Sequence, residues 1–300
     1  MISVIIPVYK NINLFIKNLN HNLPFLKDCQ IIIVNDDPQT SLKKELKSYK
    51  NIILIENKEN LGFGRAVNCG VQKAKNQYLM LINSDVVLND TSYLTGLNHF
   101  KLKNVFAVSF AQKEKDGTIV GKNRVYWNRG FLNHQRATNL DLGINSWAEG
   151  GACLIDKKKF LALHGFDPLY TPFYWEDIDL SYRAWKTGYK IIFDPRILIE
   201  HPHETTIGKY FTKPQIKTIA YRNQLIFIWK NLTDCRLICQ HLFSLPGTIL
   251  KSLLKFEFVF LFAFIKTLIL LPKIIFRRLE QKKSFIVSDK TILKLFAENE

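Results

Sequence analysis

The five cysteines are too few and too scattered to hold the chain together. Cys29, Cys69, Cys153, Cys235 and Cys239 form no Cys-x-x-Cys pair and show no zinc-type spacing with histidine, so neither a disulfide framework nor a structural zinc is expected. Thiols of this kind suit a reducing, cytosolic environment. No secretory leader is expected, since residues 2–9 read as a short strand-like run reaching Pro7, without a basic segment or a cleavage site. Acidic residues are scarce, 26 Asp and Glu against 42 Lys and Arg, for a formal charge of +16. Residues 209–300 hold 16 basic and six acidic side chains, so most of the surplus lies there. A basic surface attracts nucleic acid or anionic lipid. No nucleic-acid motif accompanies the charge, and the segment is aliphatic and phenylalanine-rich, so an anionic membrane surface is the expected partner.

Long uninterrupted apolar runs are absent too. The richest stretch, residues 249–271, contains Lys251, Lys255, Glu257 and Lys266. A charge near the centre of a spanning helix costs about 2.5–3.5 kcal/mol. At 100° per residue the three lysines share about 60° of arc, with Phe256, Phe260, Leu261, Phe264 and Ile265 elsewhere. The expectation is one helix lying in the membrane interface, with Arg277, Arg278, Lys282 and Lys283 as a polybasic extension.

What the sequence has in quantity is core: 47% of 300 residues are hydrophobic. Strands are expected over residues 3–9, 31–34, 52–55 and 78–82, with helices over 13–26 and 41–49 and a helix carrying Ala66, Val67, Val71 and Ala74. Alternation of this kind implies an α/β fold with a mostly parallel central sheet and flanking helices. Ligands of such sheets bind at the carboxyl ends of the strands. There the sequence places Asn83-Ser84-Asp85, Asn35-Asp36-Asp37 and Pro7-Val8-Tyr9. A lone Asp85 can hold a divalent cation that holds a diphosphate, or it can simply cap a helix. Asp36 can accept from N3–H of uracil or thymine, with Asp37 as the alternative. Gly62 and Gly64 allow close backbone approach, and Arg65 could neutralise a phosphate. Residues 113–117 read as a hairpin turn, and residues 126–142 as loop covering the site.

A second informative block is Trp147-Ala148-Glu149-Gly150-Gly151-Ala152, Gly165-Phe166-Asp167 and Phe173-Tyr174-Trp175-Glu176-Asp177-Ile178-Asp179. The last piece begins a helix whose dipole favours acids in its first turn. Aromatic faces beside a carboxylate make a sugar platform, and their bulk raises the acid towards a useful base.

Ser3-Val4-Ile5-Ile6-Pro7-Val8-Tyr9, Val34-Asn35-Asp36-Asp37, the stretch from Asn60 to Gly70 and Asn83-Ser84-Asp85 together resemble family-2 glycosyltransferases of the GT-A fold. The Asn-x-Gly-Phe-Gly-x-Ala-x-Asn-x-Gly form is most similar to the rhamnosyltransferase-like branch. The resemblance covers residues 2–205. It implies Asp177 as catalytic base, with Glu176, Trp175, Gly150 and Gly151 on the acceptor side. It puts Pro7, Tyr9, Asp36, Asp37, Gly62, Arg65, Asn68, Asn83 and Ser84 on a nucleotide-sugar. Asp85 and His201, with His203 as rival, then face an Mg²⁺ or Mn²⁺ ion and the diphosphate. Asp179 is expected to brace the loop.

The implied organisation is a domain over 1–208, nucleotide-binding over 1–100 and acceptor-binding over 101–208, followed by a basic, amphipathic helical region over 209–300. The implied activity is inverting transfer of a sugar, with rhamnose the candidate, from a UDP- or dTDP-sugar to a lipid-linked or cell-surface polysaccharide acceptor. The enzyme would act at the cytoplasmic face of the membrane, peripheral or monotopic. Two other classes use similar parts. A nucleotidyltransferase would need a Gly-rich basic loop near the first strand, which is lacking, and a non-catalytic sugar- or membrane-binding module would not need Asp177.

Overall fold

Short runs of isoleucine, valine and leucine, too brief for helices and buried on both faces, build the centre of the molecule. The computed structural model describes residues 1–202 and 206–297, so the expectation for His203 lies outside the described residues. The first elements are β1 (Ile2–Val8), α1 (Ile12–Asn22), β2 (Gln30–Asn35), β3 (Ile52–Glu56), α2 (Phe63–Lys73) and β4 (Tyr78–Ile82). Next come β5 (Val87–Leu88), β6 (Val105–Lys113), β7 (Ile119–Val120), β8 (Asn123–Asn128), β9 (Phe131–Arg136), β10 (Gly143–Ile144) and β11 (Ala152–Asp156). They are followed by α3 (Lys157–Ala162), α4 (Glu176–Lys186), β12 (Lys190–Glu200) and α5 (Thr206–Tyr210). The C-terminal helices are α6 (Lys213–Asn231), α7 (Cys235–Leu254), α8 (Val259–Ile269), α9 (Leu271–Lys282) and α10 (Asp289–Ala297).

The main sheet runs β10-β12-β6-β11-β4-β1-β2-β3. β1 pairs in parallel with β2 and β4, β2 with β3, and β6 with β12, while β11 runs antiparallel between β4 and β6. Strand alternation divides the core in two. Ile5, Ile32, Val34, Leu79 and Leu81 join Ala66, Val67 and Val71 of α2 on one face. Val4, Ile6, Ile31, Ile33, Met80 and Ile82 join Phe15 and Leu19 of α1 on the other.

Four sequence expectations change. Residues 41–49 form turns rather than a helix: nine residues are marginal for a helix, and the Glu56 carboxylate takes the Leu42 N–H at 2.9 Å. Residues 126–142 are not loop cover. Their first part is the β8–β9 hairpin, closed at Arg129 and Gly130, both at positive φ as a two-residue hairpin turn requires. Residues 249–271 are not one helix, since α7 ends at Leu254, α8 begins at Val259, and α8 and α9 meet at 64°. Nor does packing break at residue 208. Ile226, Phe227 and Ile228 of α6, with Ile292 and Phe296 of α10, are buried in the same core as α2 and α4.

Ionic links reinforce that continuity. Asp179 of α4 is fully buried and accepts from Tyr170 Oη at 2.8 Å, Arg183 Nε at 2.9 Å and Asn231 Nδ2 at 2.8 Å, with Lys230 Nζ at 2.7 Å. Lys230 also reaches Asp167 at 2.7 Å. Burial alone would raise the Asp179 carboxyl, but Arg183 and Lys230 overturn that and hold it at about 2. Its depressed value contributes stability that is full above the ordinary 3.8 and lost as pH falls through about 2. Lys230→Met should therefore cost about 3 kcal/mol in urea unfolding at neutral pH, because the buried Asp179 and the half-buried Asp167 lose a cation. The deficit should shrink as the pH falls below about 4 and the carboxylates protonate; a deficit independent of pH would contradict the assignment.

Candidate active site

A cleft of about 430 Å³ opens where the carboxyl ends of β1, β2 and β4 meet the start of β11 and the head of α4. Of the residues expected from sequence, Pro7, Tyr9, Asp36, Gly62, Asn83, Ser84, Asp85, Gly150, Gly151, Glu176, Asp177 and His201 line it. Asp85 and Asp177 therefore share one cavity.

On the β4 side, His201 Nε2 lies 3.2 Å from Asp85 Oδ1 and 3.4 Å from Asn83 Nδ2. His201 Nδ1 is 2.5 Å from Gln112 Oε1, an atom that can only accept, so Nδ1 carries a proton and Nε2 is turned towards Asp85. Gln112 Nε2 in turn donates to Glu149 Oε2 at 2.6 Å, and Asn123 Nδ2 donates to Glu149 Oε1 at 2.7 Å. One carboxylate oxygen and one imidazole nitrogen side by side, the imidazole oriented through its other nitrogen, fit a divalent cation that takes its remaining ligands from phosphate and water. No group of three or more His, Cys, Asp or Glu that could hold a metal occurs among the described residues.

Asp36 is engaged by its own chain. Oδ1 accepts from Asn57 Nδ2 at 2.8 Å and Leu61 N at 2.9 Å, and Oδ2 accepts from Gly62 N at 2.8 Å. Burial raises its carboxyl against the pull of these bonds. The loop over residues 57–62 is folded around this side chain, and Asp36 lines the cleft with Oδ2 taking a single bond, from Gly62 N, of the two it can accept. Gly62 sits at φ +77°, and a Cβ there would stand 2.6 Å from the Pro172 carbonyl, so this loop and the 170–174 segment need a glycine to meet.

Asp177 heads α4 beside Glu176. Ile178 N–H donates to Asp177 Oδ1 at 2.8 Å, and among the described residues no Lys, Arg or His forms an ion pair with it. Burial raises its carboxyl to about 7, helped by the negative charge of Glu149. Burial, then the Asp177 charge, pushes Glu176 well above the ordinary carboxylate range, and Glu176 Oε2 is buried without a hydrogen-bond partner. The turn before α4 places Tyr174 at φ 71° and Trp175 at φ 74°, a conformation that costs non-glycine residues about 1–3 kcal/mol each. Asn223 of α6 holds it, its Nδ2 lying 3.0, 2.9 and 2.8 Å from the carbonyls of Tyr170, Phe173 and Tyr174.

Four expected residues lie elsewhere. Trp175 is buried against His134 and Phe227, so it shapes the wall from behind. Asp37 is drawn to Lys10 at 3.1 Å. Arg65 turns out to Glu59 at 3.7 Å. Asn68 braces the Gly165–Phe166 turn, donating to Phe166 O at 2.7 Å and accepting from Phe166 N at 3.1 Å. Sequence reasoning missed Glu149, Trp147, Tyr210 and Phe211, which line the cleft, and His134, whose ring packs edge-on to both Trp147 and Trp175. Glu149 carried a signal, being an acid beside two glycines; Asn223, polar within an apolar helix, carried another.

A mostly parallel α/β sheet with two acids, Asp85 and Asp177, facing one cleft at its strand ends defines a GT-A glycosyltransferase architecture. Residues 3–161 match the glycosyl transferase family 2, and the chain belongs to that family. It is 27% identical over 212 residues to an uncharacterised glycosyltransferase of Rickettsia prowazekii (strain Madrid E), covering 69% of this chain and 66% of that one. It is 23% identical over 171 residues to the poly-β-1,6-N-acetyl-D-glucosamine synthase of Staphylococcus aureus (strain COL), covering 55% of this chain and 41% of the synthase. In fold it resembles GalNAc-T7 solved with UDP, GalNAc and Mn²⁺, at a TM-score of 0.60, 16% identity, and coverage of 77% of this chain and 48% of that one.

The glycine pair is the tightest point of the site. A Cβ on Gly151 would lie 2.4 Å from Asn83 Nδ2, and Asn83 N–H already donates to Gly151 O at 3.1 Å. Gly151→Ala should cost about 1–3 kcal/mol in urea unfolding through overpacking. Gly247→Ala, with nothing within 4 Å, should be neutral or slightly stabilising. Equal effects at the two positions would contradict the packing described.

Proposed function

We propose that the chain is a metal-dependent, inverting glycosyltransferase that moves a sugar from a UDP- or dTDP-sugar to a hydroxyl of a lipid-linked or cell-surface polysaccharide. The observation that carries this reading is the shared cleft with Asp85 on one wall and Asp177 on the other. The pyrimidine nucleotide is favoured by the Asp36 Oδ2 lone pair, which suits an N3–H donor. Rhamnose is favoured by the Asn60–Gly70 motif alone. A polysaccharide acceptor is supported by the name of the Staphylococcus relative. Work at the cytoplasmic face of a membrane, as a peripheral or monotopic protein, is supported by the basic C-terminal third.

Asp85 and His201 would hold Mg²⁺ or Mn²⁺; when bound, such an ion offsets negative charge on the diphosphate. Asp177 accepts the proton of the acceptor hydroxyl, whose oxygen forms the new bond to the anomeric carbon as the carbon–diphosphate bond breaks on the opposite face. One displacement inverts the anomeric configuration. Glu176, whose carboxyl burial pushes well above the ordinary carboxylate range, lines the cleft beside Asp177, where it meets the acceptor sugar. Trp147 and Tyr174 supply apolar faces for the acceptor rings.

The test is thermal stabilisation by a panel of nucleotides with and without Mg²⁺ or Mn²⁺, followed by transfer assays. UDP or dTDP with metal should stabilise the chain, and purine nucleotides should not. Stabilisation by purines alone would overturn the role of Asp36. Asp177→Asn should keep nucleotide binding while transfer falls by about 10²–10⁴-fold. Transfer at the wild-type rate would remove Asp177 as base.

A further inference from the structure

The C-terminal helices carry an apolar surface that the fold leaves uncovered. Among the described residues, 14 of the 26 exposed large apolar side chains lie between Leu242 and Leu279. Phe243 is 86% exposed, Phe256 80% and Leu254 72%. Exposed apolar side chains concentrated in this way mark a surface that meets a partner or a membrane. α7 is long and apolar enough to cross a bilayer, with a mean hydropathy of 1.2 and only 17% of its most apolar window buried. α8, at 11 residues, is about 16 Å long and cannot cross a core of about 30 Å. Between residues 235 and 283 nine Lys and Arg stand against two Glu, and Lys251, Lys255 and Lys266 are all exposed.

We propose that α7, α8 and α9 together form a membrane-insertion face for an anionic bilayer. Phe243, Leu254 and Phe256 enter the acyl boundary, and Lys251, Lys255 and Lys266 meet lipid phosphates. This replaces the single in-plane helix expected from the sequence with a broken layer of three helices. The face is joined to the acceptor side of the cleft through two adjacent residues of α6. Thr267 of α8, whose hydroxyl donates to Ala263 O at 2.8 Å, packs with that oxygen 3.5 Å from Arg222 O; Arg222 donates to Thr171 O, and Asn223 holds the carbonyls of Tyr170, Phe173 and Tyr174. Resting on the glycosyltransferase reading in this respect alone, the coupling means that an acceptor carried in the bilayer is delivered beside the loop that forms the acceptor wall.

The test is flotation of the full chain with phosphatidylglycerol-containing vesicles and with phosphatidylcholine vesicles. The wild type should co-float with the anionic vesicles and dissociate partly at high salt. The combined substitution Phe243→Ser, Leu254→Ser, Phe256→Ser should weaken partitioning by more than about tenfold. Lys251→Glu, Lys255→Glu and Lys266→Glu together should remove the preference for anionic lipid. All six sites are exposed, so nucleotide-dependent thermal stabilisation should persist in both variants. Its persistence separates failure of this proposal from failure of the catalytic one. Undiminished flotation of the serine variant would overturn the proposal. So would a wild-type dimer, by light scattering, that the serine substitutions convert to monomer, because a second copy would then cover the face.

Discussion

A carboxylate that is to take a proton near neutral pH must be kept from water without being given a cation. α4 solves this within a single turn. Asp177 and Asp179 are two residues apart, the first half-buried at the cleft wall and the second fully buried, yet burial and Glu149 set one at about 7, while Arg183 and Lys230 hold the other at about 2. The difference lies in the partners each side chain points towards. Asp179 faces the interior, where it ties α4 to α6, and Asp177 faces the cleft. A rotation of α4 that gave Asp177 a cation would lower its carboxyl and disable it as a base. The ion cluster behind Asp179 and the Asn223 clamp on the 170–174 segment fix that rotation.

The same economy links the two sides of the cleft. Gln112 bridges His201, which orients towards Asp85, and Glu149, whose charge acts on Asp177. Asn83 packs against Gly151, and Gly62 packs against Pro172, so loops from the strand ends of the first half touch loops of the second at points where no side chain fits. Closely packed interiors transmit such constraints. The cleft therefore depends on both halves being folded, and through Arg222 and Asn223 it depends on the C-terminal helices as well.

Much of this was legible in the sequence because it is written locally. Runs such as residues 31–34 and 78–82 admit few conformations other than buried strand, and Asp85, Asp36 and Asp177 follow or begin elements whose type the pattern declares. What stayed hidden is long-range. The partners of Trp175, Arg65 and Asn68 are His134, Glu59 and Phe166, and no spacing rule reveals that these would turn them from the cleft. The β8–β9 hairpin was hidden because its turn uses Arg129 at positive φ, where asparagine or glycine would have signalled it. The break after Leu254 was hidden because residues 255–258 hold no proline or glycine, and Phe256 takes the positive φ there.

The most direct test of the central claim is the pH dependence of kcat/KM for transfer, measured in the wild type and in Glu149→Gln. A base at about 7 predicts a rate that rises with pH along an acid limb centred near 7 and then levels. Removing the negative charge of Glu149 eases ionisation of Asp177, so the limb should move to lower pH. A flat wild-type profile across this range, or a limb that Glu149→Gln leaves in place or moves to higher pH, would contradict the account.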